Sequence, residues 1–163
     1  MVSAERLALF ALAALLLAAT PGPVWLYLIS RTLAQGRAAG YYSMLGVTAG
    51  LALHAGLAAF GLSVVLLAIP YAFDAIRLAG AAYLLWLAWS TLRGGGLAFA
   101  ATPLAPVPGA TLLWQGFVAA VLNPKVAVFY LSLFPQFIDP HAGPVLGQSL
   151  VLGAVQLVIA AAV

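Results

Sequence analysis

The chain has 163 residues, of which 66% are hydrophobic and only 6% charged, with a mean hydropathy of +1.16. A soluble domain carries about 25% charged residues as its polar shell, so six Lys and Arg with three Asp and Glu exclude a water-soluble globule and leave an integral membrane protein. The net charge of +3 is scattered, which excludes a nucleic-acid footprint, and the absence of cysteine excludes disulfides, thiolate metal sites and thiol nucleophiles.

Long segments that are apolar on every side predict helices. About 20 such residues cross a bilayer and satisfy their own backbone, whereas barrel strands are shorter and alternate. The start, "MVSAERLALFALAALLLAATPGP", has the look of a signal peptide, but Glu5 beside Arg6 removes the positive n-region. It reads as a first span over residues 7–29, interrupted by Thr20, Pro21, Gly22 and Pro23. The link 30–39, "SRTLAQGRAA", is polar and basic. A second span covers 40–69, with His54 near its centre, and Pro70 marks the turn after it. A third covers 73–92, with Asp74 and Arg77 as an i,i+3 pair in its opening turn. The Gly- and Pro-rich stretch 93–111 is the longest link. The fourth span, 112–138, is interrupted by Asn123, Pro124 and Lys125, and 139–144 closes it. The fifth runs over 145–163.

Arg31, Arg37 and Arg93 fall on one side of alternating spans, and Arg6 and Arg77 on the other. This bias puts loops 30–39 and 93–111 in the cytoplasm. Trp86 and Trp89 then fit an interfacial aromatic belt.

Two of the five spans are broken in mid-stretch, and the breaks suggest a repeat. With Pro21 set over Pro124, 103 positions apart, "TPGPVWLYL" lies over "NPKVAVFYL". Tyr27 falls on Tyr130 and Leu28 on Leu131, and Gly46 and Gly50 fall on Ser149 and Gly153. A three-span unit repeated in tandem reverses its orientation, because three is odd. The expected fold is therefore an all-α integral membrane protein, a single transmembrane domain over 1–163. Inverted three-helix repeats cover 1–93 and, incompletely, 112–163, joined by a linker over 94–111. The first and fourth helices are broken. The same register places the partner of the third span near position 176, so a sixth span is expected to be missing. Paired Gly/Pro breaks in the two halves of a transporter point to its binding site, and the half-helix N-termini there favour anions.

Lys125 sits at the middle of an apolar stretch, where a charge costs roughly 2.5–3.5 kcal/mol and marks a functional candidate. Either it faces a cavity and draws a carboxylate, or it snorkels from a re-entrant hairpin. Thr20, Pro21, Gly22 and Pro23 either line that cavity as unwound chain or form a tolerated kink. Asn123 either satisfies orphaned backbone groups or contacts substrate. His54 and Asp139 are the proton-coupling candidates; the plainer alternatives are a packed histidine and a solvated loop end. Gly46 and Gly50 mark helix packing, while Gln148 and Gln156 line the cavity or bond between helices. No catalytic constellation is visible, "RGGGLAF" lacks the Walker lysine, and the three acids are too far apart in sequence to cluster on a hard cation. No enzyme, cofactor or metal is expected.

"TPGP", "SRTLAQGRAAG", "LAGAAYLLWLAW" and "GFVAAVLNPKVAVFYLSLFPQFID" resemble, in order and spacing, the LysE/RhtB amino-acid exporters. The resemblance implies a bacterial inner-membrane carrier that exports amino acids or close derivatives, driven by the proton-motive force. It places the family motifs at Pro21, Gly22 and Pro23, at Asn123, Pro124 and Lys125, and at Pro135, Gln136 and Phe137. Family members have enough length for six spans. A neutral substrate such as threonine, homoserine or homoserine lactone is favoured, since no additional buried acid is present to hold lysine or arginine. The alternatives are a lysine/arginine exporter and a truncated, non-transporting fragment or accessory subunit. The implied partners are the amino acid, protons, the lipid bilayer and, through the small-residue faces, a second copy in a homodimer.

Overall fold

Ser3 opens the first helix: its hydroxyl accepts from Arg6 N at 3.3 Å, as an N-cap does. The computed structural model describes residues 2–68 and 106–163, and every regular element there is helical. Helix α1 (Ala4–Ala19) stops at the Thr20-Pro21-Gly22 break, and α2 (Pro23–Gln35) restarts with proline in its first turn. The two are bent by 55° and together are long and apolar enough to form one broken span.

The predicted link 30–39 is corrected by the structure. Helix α2 continues to Gln35, and α3 (Arg37–Ala68) begins at Arg37. Gly36 alone turns the chain, at φ 83°, a left-handed conformation that glycine adopts without a Cβ clash. The polar residues there face the ends of neighbouring helices, so polarity marked an interface and not a loop. Within α3, residues Arg37–Gly61 are long and apolar enough to cross a membrane.

The second broken span is α4 (Gly109–Val121) followed by α5 (Pro124–Val128), with a bend of 49°. A π-helical turn (Phe129–Leu133) and a 3₁₀ turn (Phe134–Phe137) prolong α5. The last helix, α6 (Val145–Ala162), is long enough to span by itself. The third predicted span, with Asp74, Arg77, Trp86, Trp89 and Arg93, lies outside the described residues.

The two broken spans run in opposite directions. Arg6, at the start of α1, pairs with Asp139, past the end of the second broken span, at 2.9 Å. At the other end, Gln35 donates to the Val107 carbonyl at 3.0 Å, and Arg31 to Gln115 Oε1 at 3.0 Å. The helix-opening prolines are Pro23 and Pro124, two positions off the register that sets Pro21 on Pro124.

Helices α3 and α4 pack backbone to backbone. A Cβ on Gly46 would overlap the Leu113 carbonyl, one on Gly116 would overlap the Ser43 carbonyl, and one on Gly50 would stand 2.7 Å from Ala120 Cβ. Without a hydrophobic drive between helices in lipid, such close van der Waals contact is what holds them. The outside is apolar: Leu16, Leu57, Phe60, Trp114 and Val158 are each more than half exposed, as a lipid-facing surface requires.

Candidate functional site

The two breaks meet. Lys125 is the second residue of α5, where the helix dipole disfavours a cation. Its side chain leaves that end and crosses to the first break. Nζ donates to the carbonyls of Leu17 and Thr20, both at 2.6 Å, at the negative end of α1. The lysine stem runs beside Gly22, where an added Cβ would stand at ordinary contact distance, 3.6 Å, from Lys125 Cδ. An ammonium has three donors, so one remains after these two bonds.

Two further carbonyls at the end of α1 are also bonded. Thr20 Oγ1 donates to Leu16 O at 2.6 Å, and Trp25 Nε1 to Ala18 O at 2.7 Å. In contrast, α2 starts from extended Gly22 with no side-chain cap, so first-turn N–H groups lack an intrahelical partner. Four carbonyls on the negative side of the break are thus bonded by side chains, while the start of α2 has no side-chain cap. At the second break the buried Asn123 side chain accepts from Lys125 N at 3.0 Å. It satisfies backbone, the first of the two roles considered for it.

A cavity of about 450 Å³ begins at this junction, lined there by Leu17, Gly22, Asn123, Lys125 and Gln156. It runs to the Gly36 end, where Thr32, Arg37 and Tyr41 line it. Trp25, Leu28, Met44, Val47, Leu51 and Val126 contribute apolar walls. Toward the opposite end an aromatic cluster packs between the described helices. The Phe10 ring lies 5.9, 5.8 and 5.2 Å from those of Phe129, Phe134 and Phe137. The Arg6–Asp139 pair lies at that end. Gln148 holds the 139–144 loop: it accepts from Asp139 N at 3.0 Å and donates to the Asp139 and Gly143 carbonyls at 2.7 and 3.0 Å.

The remaining candidates are placed apart from the junction. His54 Nε2 lies 3.2 Å from the Val121 carbonyl, and its ring stacks on Tyr130 at 5.7 Å. Gln136 donates to Ser132 O at 2.9 Å in its own segment. Asp139 accepts from His141 N at 2.9 Å; that bond, then Arg6, holds its carboxyl below the usual carboxylate range. Among the described residues no three His, Cys, Asp or Glu side chains converge to hold a metal ion.

Sequence reasoning had no means of finding the Lys125 cross-link, because it joins two breaks far apart in the chain. Gly116 and the relay in which Ser43 Oγ donates to Tyr27 OH at 3.0 Å, and Tyr27 OH to Leu112 O at 2.7 Å, were also missed. The glycine in "WQGF" was the available signal for the first.

The sequence pattern of the LysE type translocator family matches residues 15–162. The chain is 34% identical to the Uncharacterized membrane protein YahN of Escherichia coli K12, over 70% of this chain and 52% of that protein. It is 35% identical to a Leucine efflux protein of Enterobacter sp. strain 638, over 75% of this chain and 58% of the relative. It is 31% identical to a Homoserine/homoserine lactone efflux protein of Salmonella typhimurium, over 92% of this chain and 72% of the relative. The chain thus spans little more than half the length of the first two relatives. No solved structure matches it. With the family pattern covering nearly all of the sequence, and with two broken apolar spans joined at their breaks, the chain belongs to the LysE type translocator family.

Proposed function

We propose that the chain acts in the export of neutral amino acids across a bacterial inner membrane, by proton antiport and alternating access. The observation that carries this reading is the junction of the breaks. There the Lys125 ammonium and the uncapped start of α2 border one cavity, while the carbonyls of Leu16, Leu17, Ala18 and Thr20 are already bonded. Such a site favours a carboxylate. A volume of about 450 Å³ suits a small molecule, within the range of roughly 300–1,000 Å³ usual for such sites.

The walls favour an aliphatic side chain over the hydroxylated ones first considered. Leu28, Met44, Val47, Leu51 and Val126 offer a hydroxyl no partner. The name of the Enterobacter relative, a leucine efflux protein, points the same way. The lack of any Asp or Glu among the described lining residues speaks against lysine or arginine.

With the Gly36 turn and the 93–111 stretch in the cytoplasm, the open end of the cavity faces the substrate pool and the Phe10 cluster lies toward the outer side. The repeats 1–93 and 112–163 then rock about the breaks, in the manner of inverted-repeat carriers. His54, against the carbonyl that ends α4, is the proton-coupling candidate within the span; Asp139, held charged by Arg6 and His141, is the weaker one.

Proteoliposomes loaded with labelled leucine, threonine and lysine test the proposal under an imposed pH gradient. Gradient-dependent exit of leucine in preference to lysine is the expected result. Exit of none from correctly inserted protein rejects export by this chain.

A further inference from the structure

Gln156 is the unexplained polar group of the cavity. It sits on the buried face of α6, is only 3% exposed, and its Oε1 finds no hydrogen-bond partner among the described residues. An orphaned buried acceptor costs roughly 1–3 kcal/mol. Elsewhere in the same helix a glutamine is fully used, since Gln148 makes three hydrogen bonds. Helix packing does not require the polar group either: α6 meets α3 through Gly153 against Ala55 Cβ, at 3.2 Å from an added Cβ. Gln156 lines the same cavity as Lys125, Gly22 and Asn123.

The anion-favouring side of that cavity is built from Lys125 and the start of α2. Asn123 Oδ1 is already engaged with Lys125 N. A zwitterion placed with its carboxylate there presents an ammonium that needs an acceptor. We propose that Gln156 Oε1 accepts a hydrogen bond from the substrate's α-ammonium and thereby sets the preference for α-amino acids over acids of the same skeleton without the amine. The inference rests on the amino-acid reading of the cavity. A neutral amide serves here where a carboxylate would also have attracted dibasic side chains.

The test is equilibrium binding to the purified full chain, with L-leucine and its des-amino analogue 4-methylpentanoate as probes. The wild-type protein is expected to bind leucine at least about tenfold more tightly, as a hydrogen bond to a charged group implies. Gln156→Met keeps the volume and removes the acceptor. It is expected to bring the two affinities within about threefold by weakening leucine alone, since apolar replacement of an orphan leaves folding intact. Gln156→Glu retains an acceptor and keeps the preference. A preference that survives in Gln156→Met, or is lost in Gln156→Glu, overturns the role. Equal binding of both probes by the wild type overturns it too, while the amino-acid-sized cavity stands. Binding of neither probe rejects the proposed function and the role of Gln156 with it.

Discussion

Lys125 and Thr20 lie 105 residues apart in the chain, yet Nζ of the first is 2.6 Å from the carbonyl oxygen of the second. One side chain therefore ties the second helix break to the first. The charge that makes Lys125 conspicuous in an apolar span bonds two carbonyls at the first break, that of Thr20 and that of Leu17, which otherwise has only a 3.3 Å bond from Thr20 N.

Replacing Lys125 should accordingly have two effects. Lys125→Met removes the bonds to the Leu17 and Thr20 carbonyls and leaves Leu17 O with only its 3.3 Å bond from Thr20 N, at a cost of about 1 kcal/mol for each lost bond. We expect a lower Tm in detergent and loss of leucine efflux. If Tm falls while efflux per folded molecule is unchanged, the lysine is a staple and not a ligand.

The α3–α4 interface sets a steric limit. Gly46→Leu and Gly116→Leu drive a side chain into the Leu113 and Ser43 carbonyls, and neither backbone can retreat without unpacking the helices. Overpacking of this kind costs roughly 1–3 kcal/mol or more, so the yield of monodisperse protein should collapse. Gly56→Leu, where an added Cβ meets no described residue within 4 Å, is the control and should purify normally.

Asp139 gives a pH dependence of defined sign. Its carboxyl is held below the usual range, first by His141 N–H and then by Arg6. A depressed folded value contributes stability above the unfolded carboxylate pKa, and that contribution disappears as pH falls through the folded one. Thermal melts of the wild type should therefore lose Tm on acidification below the ordinary carboxylate range. Asp139→Asn should flatten that loss by lowering the neutral-pH melt by the same amount, which is small because exposed pairs contribute little.

His54 separates coupling from binding. His54→Gln preserves a group able to meet the Val121 carbonyl. Leucine–leucine exchange at equal pH should persist in this variant, while exit driven by a pH gradient falls at least about tenfold if the imidazole carries the coupled proton. Equal losses in both assays would assign His54 to packing against Tyr130.

Much of the architecture was legible along the chain. The breaks at Pro21-Gly22-Pro23 and Asn123-Pro124-Lys125 announced themselves because proline removes a backbone donor and glycine a side chain in otherwise uniform apolar sequence. The polar stretch 30–39 was misread as a link. Composition does not distinguish a solvated loop from helix ends that bond each other, as Arg31 does with Gln115 and Gln35 with Val107.

The sequence by itself determined that this protein lives in lipid, that its backbone is helical, and where two helices break. Those properties follow from local terms: hydrophobic length, self-satisfied hydrogen bonds and proline chemistry act over a few residues at a time. The tertiary structure alone decided which way the freed groups face. It brought Lys125 to the carbonyls of α1, left the start of α2 and the amide of Gln156 beside one cavity, and drew Arg6 to Asp139. An orphaned carbonyl or a buried charge is satisfied by whatever folding brings within about 3 Å, and that neighbour is not written next to it in the chain.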